Sequence, residues 1–314
     1  MKLMISNVAR LNVAVLGVGT IAVIAVFTLS TSSQRGEIAL SPYCTQAQAS
    51  PEIVGKAAYA KDLITGTVLY EKNSSAQLPL ASITKIMTVI SASEILPKES
   101  VVTVTKEALE PEGDSGLYEN EQWSVRDLVD FTLMSSLNDG AHALALSSAS
   151  LQGKSSDWFV EAMNKKAKSI GLSQTYFLND TGLDVSSSTA GAYGSAHDVA
   201  EMLTYAITSA PVNFHGSTEQ KRTFVSLSSK EHEALNTSEA GVFLENAIAS
   251  KTGFTDLAGG NLAAVFEPFI GRPVVAVVLG STKEERDADM KVIATGADKE
   301  LRRILLCKQL YGSH

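Results

Sequence analysis

Short runs of small and β-branched residues stand at both ends of the main body of this chain, and helix-spaced apolar residues fill the stretch between them. Ala57–Lys61 and Thr67–Glu71 read as strands around the turn Asp62-Leu63-Ile64-Thr65-Gly66. Ala247–Thr252, Asn261–Phe266 and Pro273–Leu279 read as strands near the other end. Between them, Pro79 precedes a helical stretch in which Ile83, Ile86, Met87 and Ile90 recur at helix spacing. Ser124 caps a helix through Met134, a second runs from Asp139 to Ser148, and a third from Asp157 to Ile170 ends at Gly171. Ser195 caps a fourth that stops before Pro211, and a closing helix spans Glu284–Leu310. This order predicts an α/β fold in which one antiparallel sheet is built from both chain ends and covered by helices. A mostly helical insertion over 97–245 then leaves a cleft between itself and the sheet.

The predicted domain occupies 53–314, and what precedes it is different in kind. Leu11–Leu29 is an apolar run interrupted only by Asn12, Gly17, Gly19 and Thr20. As a helix it would be roughly 28 Å long, close to a bilayer's hydrocarbon thickness. Lys2 and Arg10 precede it, so the positive-inside rule keeps the N-terminus in the cytoplasm and exports the rest. Residues 1–30 therefore read as a membrane anchor, with a cleavable signal segment as the alternative. The first reading places the domain on the outer face of the cytoplasmic membrane; the second makes it secreted or periplasmic. Residues 31–52, rich in Ser, Thr, Gln and Ala, read as a linker. Gly17-Val18-Gly19 lies inside the apolar run with no strand before it, so it is no dinucleotide-binding signature.

The net charge of −8 argues against nucleic acid as a partner, because phosphate binding wants a basic face. The two cysteines, Cys44 and Cys307, are too few for a disulfide framework or a metal cage. Cys44 lacks the small preceding residues of a lipoprotein signal. Both flank the predicted domain, and an exported chain can oxidise them, so a bridge is an expectation that the sequence leaves open.

Three short sets carry chemistry. Ser82-Ile83-Thr84-Lys85 opens a predicted helix, where residues three apart share a face and hydroxyl and amine can meet. The lysine could take the serine proton if burial keeps its neutral form accessible. About one Ser-x-x-Lys arises by chance in a chain this long. Ser136-Leu137-Asn138, between two predicted helices, could relay a proton and hold an amide, or be a polar turn. Lys251-Thr252-Gly253 on a late strand offers a charge and a hydroxyl to a carboxylate, with Gly allowing close approach. Its bland alternative is an edge strand whose Lys deters aggregation.

Taken together, in this order, the three sets resemble the signature of the penicillin-recognising serine enzymes. The chain is similar to the low-molecular-weight D-alanyl-D-alanine carboxypeptidases from Ile53 to its C-terminus. Val102-Thr103-Val104-Thr105, Asn179-Asp180-Thr181-Gly182-Leu183-Asp184 and Ala258-Gly259-Gly260-Asn261-Leu262 add to the likeness. The resemblance implies a β-lactamase/transpeptidase-like fold and an acyl-enzyme on Ser82, with Lys85 as base and Ser136 passing a proton to the leaving D-alanine. It implies that Asn138 orients the substrate amide, and that Lys251 and Thr252, with Gly253 beside them, hold the terminal carboxylate. The backbone N–H groups of Ser82 and Phe254 would form the oxyanion hole. The implied partners are a peptidoglycan stem peptide and β-lactams as covalent inhibitors, beside the membrane that the apolar run 11–29 predicts; no metal or cofactor is implied. Two departures stand out. Leu137 replaces the usual Gly or Asp, which is expected to narrow the cleft, and the C-terminal β-domain and membrane helix of many relatives are expected to have no counterpart.

Other readings fare worse. None of the five histidines sits in a triad-like context, and His232-Glu233-Ala234-Leu235-Asn236 has Asn where a zinc-protease motif needs its second His. A β-lactamase would need a Glu-x-x-x-Asn loop that is not found after Asn138. A D,D-endopeptidase using the same residues and a non-catalytic, penicillin-binding wall sensor remain as alternatives.

Overall fold

The computed structural model describes Cys44 and residues 51–113, 115–210, 212 and 214–312; the apolar run 11–29 and most of the linker lie outside the described residues. Five strands form the main sheet: β1 (Ala57–Asp62), β2 (Val68–Lys72), β3 (Ala247–Thr255), β4 (Gly259–Phe266) and β5 (Val274–Ser281). Their order is β3-β4-β5-β1-β2, antiparallel throughout, so the strand that opens the domain pairs with the strand that ends the sheet.

Alternation along these strands decides which layer each side chain joins. Ala57 and Tyr59 on β1, with Val275, Val277 and Leu279 on β5, face the helical insertion. Ala58, Ala60, Val274, Ala276 and Val278 face the closing helix. Both faces of β5 are therefore buried, which is why its sequence is a continuous apolar run rather than an alternating one.

Six helices matter for the site. They are α1 (Thr84–Ile95), α2 (Val125–Ser135), α3 (Asn138–Leu151), α4 (Ser156–Ser169), α5 (Ala196–Thr208) and α6 (Arg286–Tyr311). α6 packs on one face of the sheet through Met290, Ile293, Ala297 and Leu301. The others belong to the opposite side, with α1 at their centre: every residue from Thr84 to Ala92 is buried. A helix buried all round has no polar face, so its sequence shows little amphipathic contrast. The Ser124 and Ser195 hydroxyls each accept a hydrogen bond from the backbone N–H three residues on, 3.1 Å away, and cap α2 and α5.

The middle segment is not wholly helical. Lys221–Val225 pairs with Glu231–Leu235 in a hairpin, and Val101–Thr103 pairs with Gln122–Ser124. In the hairpin only Phe224, His232 and Ala234 turn inward as buried residues, so its sequence carries too few apolar positions for alternation to show. A disulfide joins Cys44 to Cys307 near the end of α6, with the two Cα atoms 5.7 Å apart. None of the described helices is long and apolar enough to cross a membrane.

Candidate active site

Ser82 lies in a single 3-10 turn, Ala81–Ile83, that leads into α1. The turn is entered through Ala81 at φ 49°, a left-handed conformation that costs an L-residue energy and persists only where its surroundings enforce it. Asn261 on β4 supplies part of that enforcement. Its Nδ2 donates to the carbonyls of Pro79 and Leu80 at 3.0 and 3.1 Å, while its Oδ1 accepts from Gly280 N at 2.8 Å. Gly253 completes it, because a Cβ there would sit 2.7 Å from the Leu80 carbonyl oxygen. Strand β3 thus lies directly against the turn that presents Ser82.

One helical turn along, the Lys85 side chain is completely buried. Its Nζ donates to Ser82 Oγ at 2.8 Å, Asn138 Oδ1 at 2.7 Å and the Thr181 carbonyl at 2.9 Å. The last two partners can only accept, so each fixes one N–H of the amine. In a neutral amine those two acceptors take the N–H groups, and the bond to Ser82 then runs from hydroxyl to nitrogen. Burial removes the hydration that favours an ammonium. This arrangement can draw a proton from Ser82.

Ser136 ends α2 in the left-handed region, φ 60°, so its hydroxyl leaves the helix direction; Lys251 Nζ donates to it at 2.9 Å. Leu137 is the N-cap of α3, and Asn138 is its first residue. Asn138 Nδ2 donates to the Glu112 carbonyl at 2.7 Å, which fixes its amide with Oδ1 toward Lys85. Asp139, fully buried, accepts from the N–H groups of Gly116 and Leu117, both at 2.8 Å, and so holds the loop that carries Glu112. The Leu137 side chain does not narrow the cleft as its bulk suggests. It is 3% exposed and packs in the core next to Phe131 and Gly116.

β3 is an edge strand, as the bland reading of Lys-Thr-Gly has it, but Lys251 turns inward and is 1% exposed. Thr252 Oγ1 lies 2.7 Å from Thr237 Oγ1, and the Thr237 carbonyl accepts from Arg286 at 3.0 Å. Burial holds the Arg286 pKa below its ordinary value despite Asp287, Glu284 and Glu239 nearby. Phe254 is 44% exposed at the outer end of the motif, with Lys283 Nζ 5.3 Å from its ring centre. The structure thus links Ser82, Lys85 and Asn138 by direct bonds, joins Ser136 to Lys251 in a second pair, and lays Gly253 against the Ser82 turn.

Several participants escape sequence reasoning. Asn261 lies in a stretch that adds to the family likeness, but its role shows only when its partners are seen, and Thr237 and Arg286 belong to no motif. The Thr181 and Glu112 carbonyls are backbone groups that any residue would supply. His232, dismissed as a metal ligand, is buried against Glu121 at 2.6 Å. Among the described residues no cluster of His, Cys, Asp or Glu could hold a metal.

Residues 44–283 match the family Peptidase_S11, described as D-alanyl-D-alanine carboxypeptidase. The chain belongs to this family. The chain is 33% identical over 236 residues to the D-alanyl-D-alanine carboxypeptidase DacF of Bacillus subtilis, a match covering 72% of this chain and 57% of that protein. It is 30% identical over 294 residues to DacD of Escherichia coli, covering 89% of this chain and 68% of the relative. The chain thus spans little more than half to two thirds of the curated relatives' length. Among solved structures, penicillin-binding protein D2 of Listeria monocytogenes in its cefotaxime-bound form superposes with a TM-score of 0.68 at 26% identity, over 80% of this chain and 99% of that one. DacD of Francisella tularensis gives 0.70 at 25%, over 83% and 72%. The fold of the chain is the transpeptidase/β-lactamase-like one: a five-stranded antiparallel sheet from both chain ends, helices over it, and a helical insertion.

Proposed function

We propose that the protein is a serine D-alanyl-D-alanine carboxypeptidase that trims the last D-alanine from peptidoglycan stem peptides. The observation that carries this reading is the buried Lys85 amine, which reaches Ser82 Oγ at 2.8 Å while also bonded to Asn138 and the Thr181 carbonyl. Ser82 Oγ attacks the carbonyl between the two D-alanines as its proton passes to Lys85. The oxyanion forms against the backbone N–H groups of Ser82 and Phe254. Ser136, itself bonded to Lys251, relays the proton from Lys85 to the departing D-alanine nitrogen, giving up its own and regaining one, and water then cleaves the ester and returns a proton to Ser82. Lys251 and Thr252 hold the terminal carboxylate, Gly253 lets the strand approach, and Asn138 orients the substrate amide. β-Lactams acylate the same Ser82; the Listeria relative is described in ampicillin- and cefotaxime-bound forms, which supports this expectation.

The test is loss of penicillin labelling in Ser82→Ala, with D-alanine release from an acyl-D-alanyl-D-alanine peptide lost in parallel. Labelling that survives the substitution contradicts the assignment. A second reading has its own support: the chain is 36% identical over 137 residues to a D-alanyl-D-alanine endopeptidase of Pseudomonas aeruginosa. Digestion of purified cross-linked muropeptides separates the two. The domain is proposed to work outside the cytoplasmic membrane, tethered through residues 11–29. The Cys44–Cys307 disulfide supports an oxidising location.

A further inference from the structure

His142 and Asp180 lie outside the three motifs and meet beside them. His142 follows Asn138 by four residues on α3, so the two share one helix face. Asn138 reaches Lys85 directly. His142 Nδ1 lies 2.7 Å from Asp180 Oδ2, and Asp180 immediately precedes Thr181, whose carbonyl is another acceptor for the Lys85 amine. Asp180 is 6% exposed, and its own carbonyl accepts from Thr88 Oγ1 on α1 at 2.6 Å. The segment Asp180–Thr181 is therefore bonded to α1 through two carbonyls and to α3 through one carboxylate.

Its next residue leaves little slack. Gly182 stands at φ +83°, and a Cβ there would fall onto the Ala81 carbonyl, one residue before Ser82. A shift of this segment would move the Lys85 acceptor and press on the Ser82 turn together. We propose that His142 is a positioning residue for acylation: by holding the Asp180 carboxylate it fixes the Thr181 carbonyl, so that one face of α3 sets two acceptors of the Lys85 amine. This inference rests on Lys85 acting as the base for Ser82.

The charges around the pair favour it. Burial pulls the His142 pKa down, but its hydrogen bond to Asp180 and the negative charges of Asp180, Glu107 and Glu110 outweigh burial and raise it. A buried hydrogen bond to a charged partner is also one whose removal leaves that partner stranded.

The experiment uses the full chain in detergent and follows acylation by a fluorescent penicillin as its concentration rises, separating the saturation constant from the limiting acylation rate. His142→Leu keeps bulk but no donor, and is expected to lower the limiting rate by about tenfold or more, the scale set by misplacing a catalytic group. Its saturation constant stays within about threefold, and His142→Asn, which keeps an N–H near the Nδ1 position, returns the rate to within about threefold of the parent. If His142→Leu does not fold, Asp180→Ala breaks the same bond from the other side and must show the same loss. Folded variants that acylate at the parent rate, or a loss confined to the saturation constant, overturn the proposal. A parent that is not labelled at all overturns the Ser82 reading beneath it. D-alanine release failing while labelling persists touches only the proposed substrate.

Discussion

At the residue scale, the Lys85 amine stands at the centre of the site, bonded to Ser82, Asn138 and the Thr181 carbonyl. Lys85→Ala removes the proposed base for Ser82 and is expected to slow acylation by about a hundredfold or more, read as the labelling rate of folded protein. Gly182→Ala tests the packing rather than the chemistry. The added methyl has no room beside Ala81, and φ +83° disfavours any L-residue, so acylation should fall sharply while the core stays folded by circular dichroism. An alanine variant with parent kinetics would show that the Ser82 turn tolerates movement. The side chains that meet here are legible in the sequence because residues three apart share a helix face and because the three motifs together resemble a known signature. Spacing alone leaves Ser82 and Lys85 a chance pair and says nothing of Asn138. Their acceptors are not. A carbonyl such as Thr181 O leaves no trace in residue identity, and Asn261, six positions beyond the end of β3, shows no role until Pro79 and Leu80 are seen beneath it.

At the element scale, the strands and helices with a clear apolar face were readable, and those without one were not. The hairpin Lys221–Leu235 was hidden by its charged outer face. It is nevertheless tied to α2 by Arg222, whose guanidinium lies 3.4 Å from Asp130 Oδ2. The other oxygen, Asp130 Oδ1, has no hydrogen-bond partner among the described residues. Burial pushes the Asp130 pKa up to about 6 against the pull of Arg222 and Arg126. Since the folded value exceeds the unfolded 3.8, the folded state keeps its proton over a range where the unfolded state has lost it. Asp130 therefore supports the fold most at low pH, and that support drains away as pH rises from about 4 to about 6. Asp130→Asn removes this dependence and should be more stable than the parent at neutral pH by about 1 kcal/mol, after allowing for the lost Arg222 pair. Urea unfolding of both proteins across that window checks it; parallel pH profiles would contradict it.

At the scale of the whole molecule, the two chain ends cooperate. β1 and β5 pair although more than two hundred residues separate them, and the α/β layering follows from strand-like patterns at the ends and helix-like ones between. The disulfide repeats that closure, joining Cys44 to Cys307 across 263 residues. The sequence left the pairing open, because two cysteines flanking a domain can equally stay apart. Cys307→Ser is expected to cost about 2–4 kcal/mol of stability with the penicillin labelling rate unchanged, measured by unfolding and acylation on the same preparation. A loss of labelling in folded protein would mean that the bridge also shapes the site.

The central claim is that this fold, with Lys85 aimed at Ser82, removes a terminal D-alanine. Its most direct test is D-alanine release from a synthetic acyl-D-alanyl-D-alanine peptide by the full chain, with Ser82→Ala as control. Release by the parent and none by the variant is the predicted result. A folded parent that takes up penicillin on Ser82 yet frees no D-alanine would contradict the carboxypeptidase reading.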